Sequence, residues 1–222
     1  MTMRLLQFST SHYCRKARLM LGYKKIGYEV ENLTPGVHIL RVKPLTGGQT
    51  LPVLLSEDGA IGDSTQIWHY LEKEYPEPSL ILGDRHQQQQ AQLLEDWLDE
   101  SLGVATRFIY YHYRSTEGKA IDPSWFSQAV IQIVKTQYNI NPRAVTLASQ
   151  RLEVGLQILG NSWQTQPYLI GEQISIADIT AAALLSPLAL IPHYRTQYPW
   201  LFERIIEIHQ LCGETLPPGL GQ

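Results

Sequence analysis

The sequence predicts two folded parts, a small mixed α/β domain followed by an all-helical one. Three observations carry this prediction. Strand-like and helix-like patterns alternate over residues 1–76. The segment PEPSLILGD (76–84) then brings two prolines and a glycine, the composition of a linker. Beyond it every apolar pattern has helical period, and no internal repeat is visible. The expected division is therefore 1–76, a linker at 77–85, and a helical domain at 86–222.

Each element has its own signal. MRLLQF is a short apolar run suited to a buried strand. A helix follows from Ser11 to Ile26, with Cys14, Ala17 and Leu21 on one face and Gly27 as its stop. YEVEN alternates as a strand does. Residues 34–50 hold Pro35, Gly36, Pro44, Gly47 and Gly48 and are expected to be irregular. LPVLL, a turn at EDG and AI form a hairpin, and GDSTQIWHYLEKEY opens with a capping residue and continues as a helix. The order is βαβ-ββα. In the second part the glutamines 87–90 form a solvated first turn. Leu94, Trp97, Leu98, Ala105, Phe108 and Ile109 then mark one long amphipathic helix. SWFSQAVIQIVKTQY is the next. Val145, Ala148, Leu152, Leu156 and Leu159 give a third, ending at Gly160-Asn161. A fourth starts at Ser175, and WLFERIIEIHQL is the fifth.

Composition narrows the function classes. Hydrophobic residues make up 44% and charged residues 18%, a globular balance. The formal net charge of −3 gives no reason to expect nucleic acid or an anionic membrane as partner. The apolar stretch 174–191 contains Asp178, Ser186 and Pro187, which suits a buried core helix rather than a membrane span. The apolar run in MTMRLLQFST is too short for a signal-peptide core. Cys14 and Cys212 are far apart and are expected to be reduced thiols in a cytoplasmic protein. No His, Cys or acidic cluster has metal-ligand spacing, so no metal is expected.

Several residues could carry chemistry, and each has a plainer alternative. Pro52 can be a strand-start residue. It can also sit after a cis peptide that leaves the Leu51 N–H and C=O free for an extended peptide ligand. Asp63 and Ser64 can cap a helix, or together hold an α-amino-acid group, the acid taking the ammonium and the helix start the carboxylate. Ser11 can cap its helix, or donate to a thiolate held near the helix dipole, where a thiol pKa of about 8.5 falls by roughly one to several units. Cys14 can be a nucleophile or, on the apolar face, a small buried hydrophobe. Tyr13 beside Ser11, and Tyr110, Tyr111 and Tyr113 late in the long helix, can pack or line a pocket. Arg15, Lys16 and Arg18 are expected to form a solvated helix face.

Taken in chain order, these features resemble the cytosolic glutathione transferase superfamily. SHYCR is similar to the Ser-x-x-Cys-Arg stretch of its serine-type classes, such as theta and delta. QTLPVL resembles the segment with the family's cis-proline, and DSTQIWHYL its γ-glutamyl-binding motif. YLIGEQISIADITAAALL resembles its helix-capping box and hydrophobic staple, with Ser175 as N-cap, Asp178 as N3 acid and Ile174 with Ile179 as the staple. The resemblance implies a thioredoxin-like N-terminal domain and a helical C-terminal one. It places Ser11 at the catalytic position and Pro52 at the cis-proline. The Leu51 backbone then pairs with the cysteinyl part of glutathione, Asp63 and Ser64 hold its γ-glutamyl end, and Gln49 and His38 lie near its glycyl end. Tyr13, Tyr110, Tyr111 and Tyr113 would line the pocket for the second substrate. Thr65 stands where some serine-type members have arginine, and Gln7 and Phe8 stand where tyrosine-type classes keep their tyrosine.

The activity so implied is conjugation of the glutathione thiolate to a small hydrophobic electrophile, a detoxification reaction in a cytoplasmic homodimer with glutathione as co-substrate. Two other classes stay open. One is a glutathione-dependent thiol oxidoreductase or peroxidase, in which Cys14 forms a mixed disulfide. Members of that type carry cysteine at the position of Ser11, which counts against it. The other is a non-catalytic interaction protein of the same fold, in which Ser175 and Asp178 would persist and the site need not.

Overall fold

The computed structural model describes residues 2–221. Its first part runs β1 (Met3–Gln7), α1 (His12–Tyr23), β2 (Tyr28–Asn32), α2 (His38–Thr46), β3 (Val53–Ser56), β4 (Gly59–Gly62) and α3 (Ser64–Glu74). The sheet order is β2-β1-β3-β4. Strand β1 is parallel to β2 and antiparallel to β3, and the β3–β4 hairpin pairs Val53 with Gly62 through Ser56 with Gly59. Leu5 and Leu6 are both fully buried because β1 is covered on both faces. Leu5 joins the main core with Ala17, Leu21 and Ile67, and Leu6 joins a smaller cluster with Val42 and Val53.

Two local expectations need correction here. The segment 34–50 is not irregular throughout. It contains α2, with Pro44 inside its last turn and Gly47 at φ 73 as its left-handed cap. The prolines and glycines that suggest a loop instead bracket a nine-residue helix anchored by the single buried Val42. Helix α1 also stops earlier than Ile26. The Ile26 N–H returns to the Leu21 carbonyl and the Lys25 N–H to the Gly22 carbonyl, with Lys25 at φ 56. That is the Schellman pattern, and a lysine rather than Gly27 takes the left-handed position.

The rest of the chain is helical: α4 (Arg85–Trp97), α5 (Gly103–Ser115), α6 (Trp125–Gln137), α7 (Pro142–Trp163), α8 (Ile176–Leu184), α9 (Pro192–Gln197) and α10 (Pro199–Leu211). The long helix expected across 94–109 is interrupted by a π-helical turn at Leu98–Leu102, where the Gly103 N–H reaches the Leu98 carbonyl five residues back. Helix α7 does not end at Gly160-Asn161. A Cβ at Gly160 would lie 3.1 Å from the Trp200 ring, so this glycine permits close approach of α10 rather than stopping the helix. Every residue of α8 is buried, as befits a central core helix. No helix among the described residues is long and apolar enough to cross a membrane.

Helix α8 begins with the capping box that the sequence announces. The Ser175 N–H and Oγ both donate to Asp178 Oδ2 at 2.9 Å, while Asp178 Oδ1 accepts from Trp163 Nε1 at 3.0 Å and from the Leu169 N–H at 2.7 Å. Ile174 and Ile179 are both in the core. The apolar core is continuous from Leu5 and Leu21 beneath the sheet, through Leu98 and Leu102, to Leu184 and Ile205. Helix α1 therefore has no solvated basic face. Arg15 and Arg18 are nearly buried and Lys16 fully so, all three being matched by groups from the helical part.

Candidate functional site

The fold places Ser11 just outside the carboxyl end of the central strand β1, where open sheets expose helix N-termini. The Ser11 N–H donates to the Phe8 carbonyl at 3.1 Å, fixing the turn between β1 and α1. Ser11 is the N-cap of α1, and its Oγ accepts from the Cys14 N–H at 3.3 Å. That bond uses one lone pair; the hydroxyl also meets the Cys14 side chain, and the residue is only half-buried, so its proton can be turned to a ligand instead. Cys14 is fully buried, and burial raises its thiol pKa against the opposing hydrogen bond from Ser11. A thiol that is inaccessible and held protonated is a poor nucleophile.

The Leu51–Pro52 peptide is cis. Neither the N–H nor the C=O of Leu51 has a hydrogen-bond partner among the described residues, so one peptide unit offers a donor and an acceptor beside the end of β1. The Pro52 carbonyl accepts from the Asp63 N–H at 3.3 Å, joining this turn to the start of α3. Asp63 has φ 72 and ψ 138, a region that L residues occupy at a cost of about 1–3 kcal/mol. Its Oδ1 caps α3, accepting from the Thr65 and Gln66 N–H groups at 2.8 and 3.2 Å, and its other oxygen remains free and exposed. Ser64 follows, 1% exposed, with an Oγ that has no hydrogen-bond partner among the described residues. A buried hydroxyl left unpaired at a helix N-terminus is a place where a ligand oxygen would be welcome.

His38 and Gln49 meet on the other side of the same turn. The Gly36 N–H donates to His38 Nδ1 at 3.1 Å, so Nε2 carries the proton and donates to the Gln49 carbonyl at 3.0 Å. The His38 ring packs edge-on against Phe8, with centroids 4.8 Å apart. Both ring nitrogens are used within the protein, while the Gln49 side chain is exposed.

Sequence reasoning missed a buried polar cluster directly behind this site. Lys16 Nζ donates to Glu95 and, at 3.0 Å, to Asp99 Oδ1, while Thr65 Oγ1 lies 2.7 and 3.2 Å from the same two carboxylates and shares its one proton between them. Lysine and both acids are almost fully buried. The cluster ties α1, α3 and the α4 end of the helical part together, and Thr65 takes part as a hydrogen-bonding member. Burial raises the Asp99 carboxyl pKa, opposed by the Lys16 charge. The four-residue spacing of Glu95 and Asp99 on a helix was legible; their partner on a distant helix was not.

The four tyrosines do not share one environment. Tyr13 Oη donates to the Asp99 carbonyl at 2.7 Å, and the Arg107 guanidinium lies over its ring at 5.1 Å. The same guanidinium lies over Tyr138 at 4.6 Å. Tyr111, one turn beyond Arg107 on α5, has its phenol pKa raised to about 12, first by burial and then by Tyr110, with Arg107 pulling the other way. Tyr110 accepts from Arg114 at 3.0 Å, and Tyr113 packs over Gly118. His12 is buried with its Nε2 unpartnered; burial and then Arg107 lower its pKa to about 3, so the imidazole is neutral. Trp125 and Phe126 are exposed on α6.

This architecture, a four-stranded mixed sheet with helices followed by a helical region, is the fold of solved glutathione S-transferases. The structure from Methylobacterium radiotolerans in complex with glutathione sulfonate superposes with a TM-score of 0.73 at 20% identity, covering 98% of this chain and 95% of that one. The glutathione S-transferase from Methylobacillus flagellatus with glutathione bound gives 0.69 at 23% identity, over 94% and 95%. Residues 5–79, which make up the α/β part, match the family model of the glutathione S-transferase N-terminal domain. A stringent starvation protein A homolog from Pasteurella multocida is 33% identical over 79 residues, 36% of this chain. The matched segment spans 37% of that relative's length.

Proposed function

We propose that this protein is a serine-type glutathione transferase in which residues 1–76 bind glutathione and the helical part, 86–222, supplies the second-substrate pocket. One observation carries the reading. At the carboxyl edge of the sheet, the Leu51 peptide, the free oxygen of Asp63 and the buried Ser64 Oγ are left without hydrogen-bond partners among the described residues, and the half-buried Ser11 hydroxyl stands at the same edge. A γ-glutamyl tripeptide presents the matching set. Its ammonium meets Asp63 and its α-carboxylate meets Ser64 and the α3 N-terminus. Its cysteinyl backbone pairs with Leu51, and its sulfur comes to Ser11. Gln49 is then the glycyl contact, and His38 braces the turn that presents it.

Ser11 and the N-terminus of α1 favour the ionised sulfur, which lowers the thiol pKa. The thiol proton leaves to solvent. The thiolate forms a bond to an electrophilic carbon while the carbon–leaving-group bond breaks, giving a thioether and a released anion. The rate gain comes from thiolate stabilisation and from holding both reactants in one site. Buried, protonated Cys14 argues against the oxidoreductase reading. The match to the Pasteurella stringent starvation protein A homolog, whose name states no transferase activity, leaves a non-catalytic, partner-binding role as the second reading. A cytoplasmic homodimer belongs to the proposal and is checked by sedimentation.

The test measures conjugation of a neutral aryl halide together with calorimetric glutathione binding. Ser11→Ala should lose roughly ten- to a thousandfold in kcat with glutathione affinity largely kept, and Cys14→Ala should keep its turnover. Full activity in Ser11→Ala would remove the serine from the mechanism. Glutathione binding without turnover in the wild type would favour the partner-binding role.

A further inference from the structure

Arg107 is a cation with no ion-pair partner among the described residues. It is half-buried on α5, and among the described residues it forms no hydrogen bond and no ion pair. Its guanidinium lies over two aromatic rings, Tyr13 and Tyr138, and its field reaches His12 and Tyr111. Asp99 and Glu100, whose charges act on Tyr13 together with that of Arg107, do not pair with it: Asp99 is held by Lys16, and Glu100 is exposed. A cation over an aromatic face is held by the ring without using its N–H donors in hydrogen bonds. Tyr13 lies in the first turn of α1, the helix that Ser11 caps, so Arg107 sits against the amino end of that same helix. Tyr138, its other ring neighbour, is 38% exposed.

We propose that Arg107 is the anion-recognising residue of the second-substrate pocket, and that the electrophile is a flat, aromatic carboxylate rather than a wholly hydrophobic molecule. The planar fork of N–H donors matches a carboxylate in two parallel hydrogen bonds. Tyr13, Tyr111 and Tyr138 offer ring surface to the body of the same molecule. The unpartnered, uncharged His12 behind Tyr13 adds no competing charge. Glutathione does not satisfy Arg107 in this reading, because its two carboxylates are assigned to α3 and to the Gln49 side of the sheet. The proposal rests on the transfer reading above, and its test separates the two.

The experiment compares chlorodinitrobenzene with chlorodinitrobenzoate and chlorodinitrobenzenesulfonate in the wild type and in Arg107→Gln. It adds calorimetric binding of unreactive nitrobenzoate in the presence of S-methylglutathione. A hydrogen bond to a charged group contributes about 1.5–3 kcal/mol, so kcat/KM for the benzoate should fall about ten- to a hundredfold in Arg107→Gln. The neutral substrate and the KM for glutathione should change less than about threefold. A preference for benzoate over sulfonate supports the planar fork; an equal or greater loss on the sulfonate overturns the carboxylate assignment. Equal losses on neutral and charged substrates, or no loss on either, overturn the proposal, since Arg107 would then be structural or idle. If no halide turns over yet nitrobenzoate binds and Arg107→Gln abolishes that binding, conjugation fails and the anion site stands.

Discussion

The starts of α3 and α8 use the same two residue types, serine and aspartate, and treat them oppositely. At α8 the carboxylate of Asp178 accepts four hydrogen bonds in a dry core, and Ser175 spends its hydroxyl and N–H on it. At α3 Asp63 keeps one oxygen free at the surface, its backbone sits in a disfavoured region, and Ser64 hides a hydroxyl that bonds to nothing. A closed network holds a fold together because breaking it strands buried groups. An unfinished one carries an energetic debt that only a further molecule can settle. The contrast separates a folding motif from a candidate site without reference to the family.

The contrast can be broken by mutation, and the largest effect is expected at α8. Asp178→Ala strands four donors at about 1–3 kcal/mol each and should cost about 4 kcal/mol or more, read as a collapsed urea midpoint or insoluble protein. A mild effect would mean that the network is replaceable by water. Lys16→Met comes next, because two buried carboxylates lose their only cation. We expect a loss of about 3–5 kcal/mol, and Lys16→Met combined with Glu95→Gln and Asp99→Asn should recover part of it. The third effect is on pH. His12 and His209 have folded pKa values lowered from 6.5 to about 3 and about 4 by burial. Their contribution to stability is complete above pH 6.5 and is lost as pH falls toward the folded values. Each should remove on the order of 1–2 kcal/mol by pH 5, with imidazole NMR signals of the folded protein still neutral there. The smallest stability effect belongs to Ser64→Ala. Deleting an unpartnered hydroxyl should shift folding stability by less than about 1 kcal/mol or raise it. The same change should weaken glutathione binding about tenfold. A strongly destabilised Ser64→Ala would erase the distinction between the two helix starts.

Much of this was legible in the chain because it is local. Strand β1, the hairpin, α3 and the α8 capping box each announce themselves through period, turn residues or cap spacing. Ser11, Pro52 and Asp63-Ser64 fall where element ends fall, so their shared edge of the sheet follows from the order of elements. The misses are tertiary. Lys16 looks like a solvated lysine until Glu95 and Asp99 arrive from another helix. Gly160 looks like a stop until Trp200 packs on it. Arg107 carries no local signal, since only the approach of Tyr13 and Tyr138 marks it out. Helix α2 failed differently: its prolines and glycines satisfy a loop rule and a helix-bracketing rule equally.

The π-helical turn at Leu98–Leu102 gives this protein a tolerance that no substitution would reveal. It absorbs one residue more than α winding requires. Loss of a single codon there would restore ordinary winding and leave Arg107 and Tyr111 facing as they do now, whereas the same loss between Leu102 and Arg107 would turn both by about 100° away from Tyr13. Two deletions of equal size, less than two turns apart, would thus have opposite consequences for the side chains beyond them.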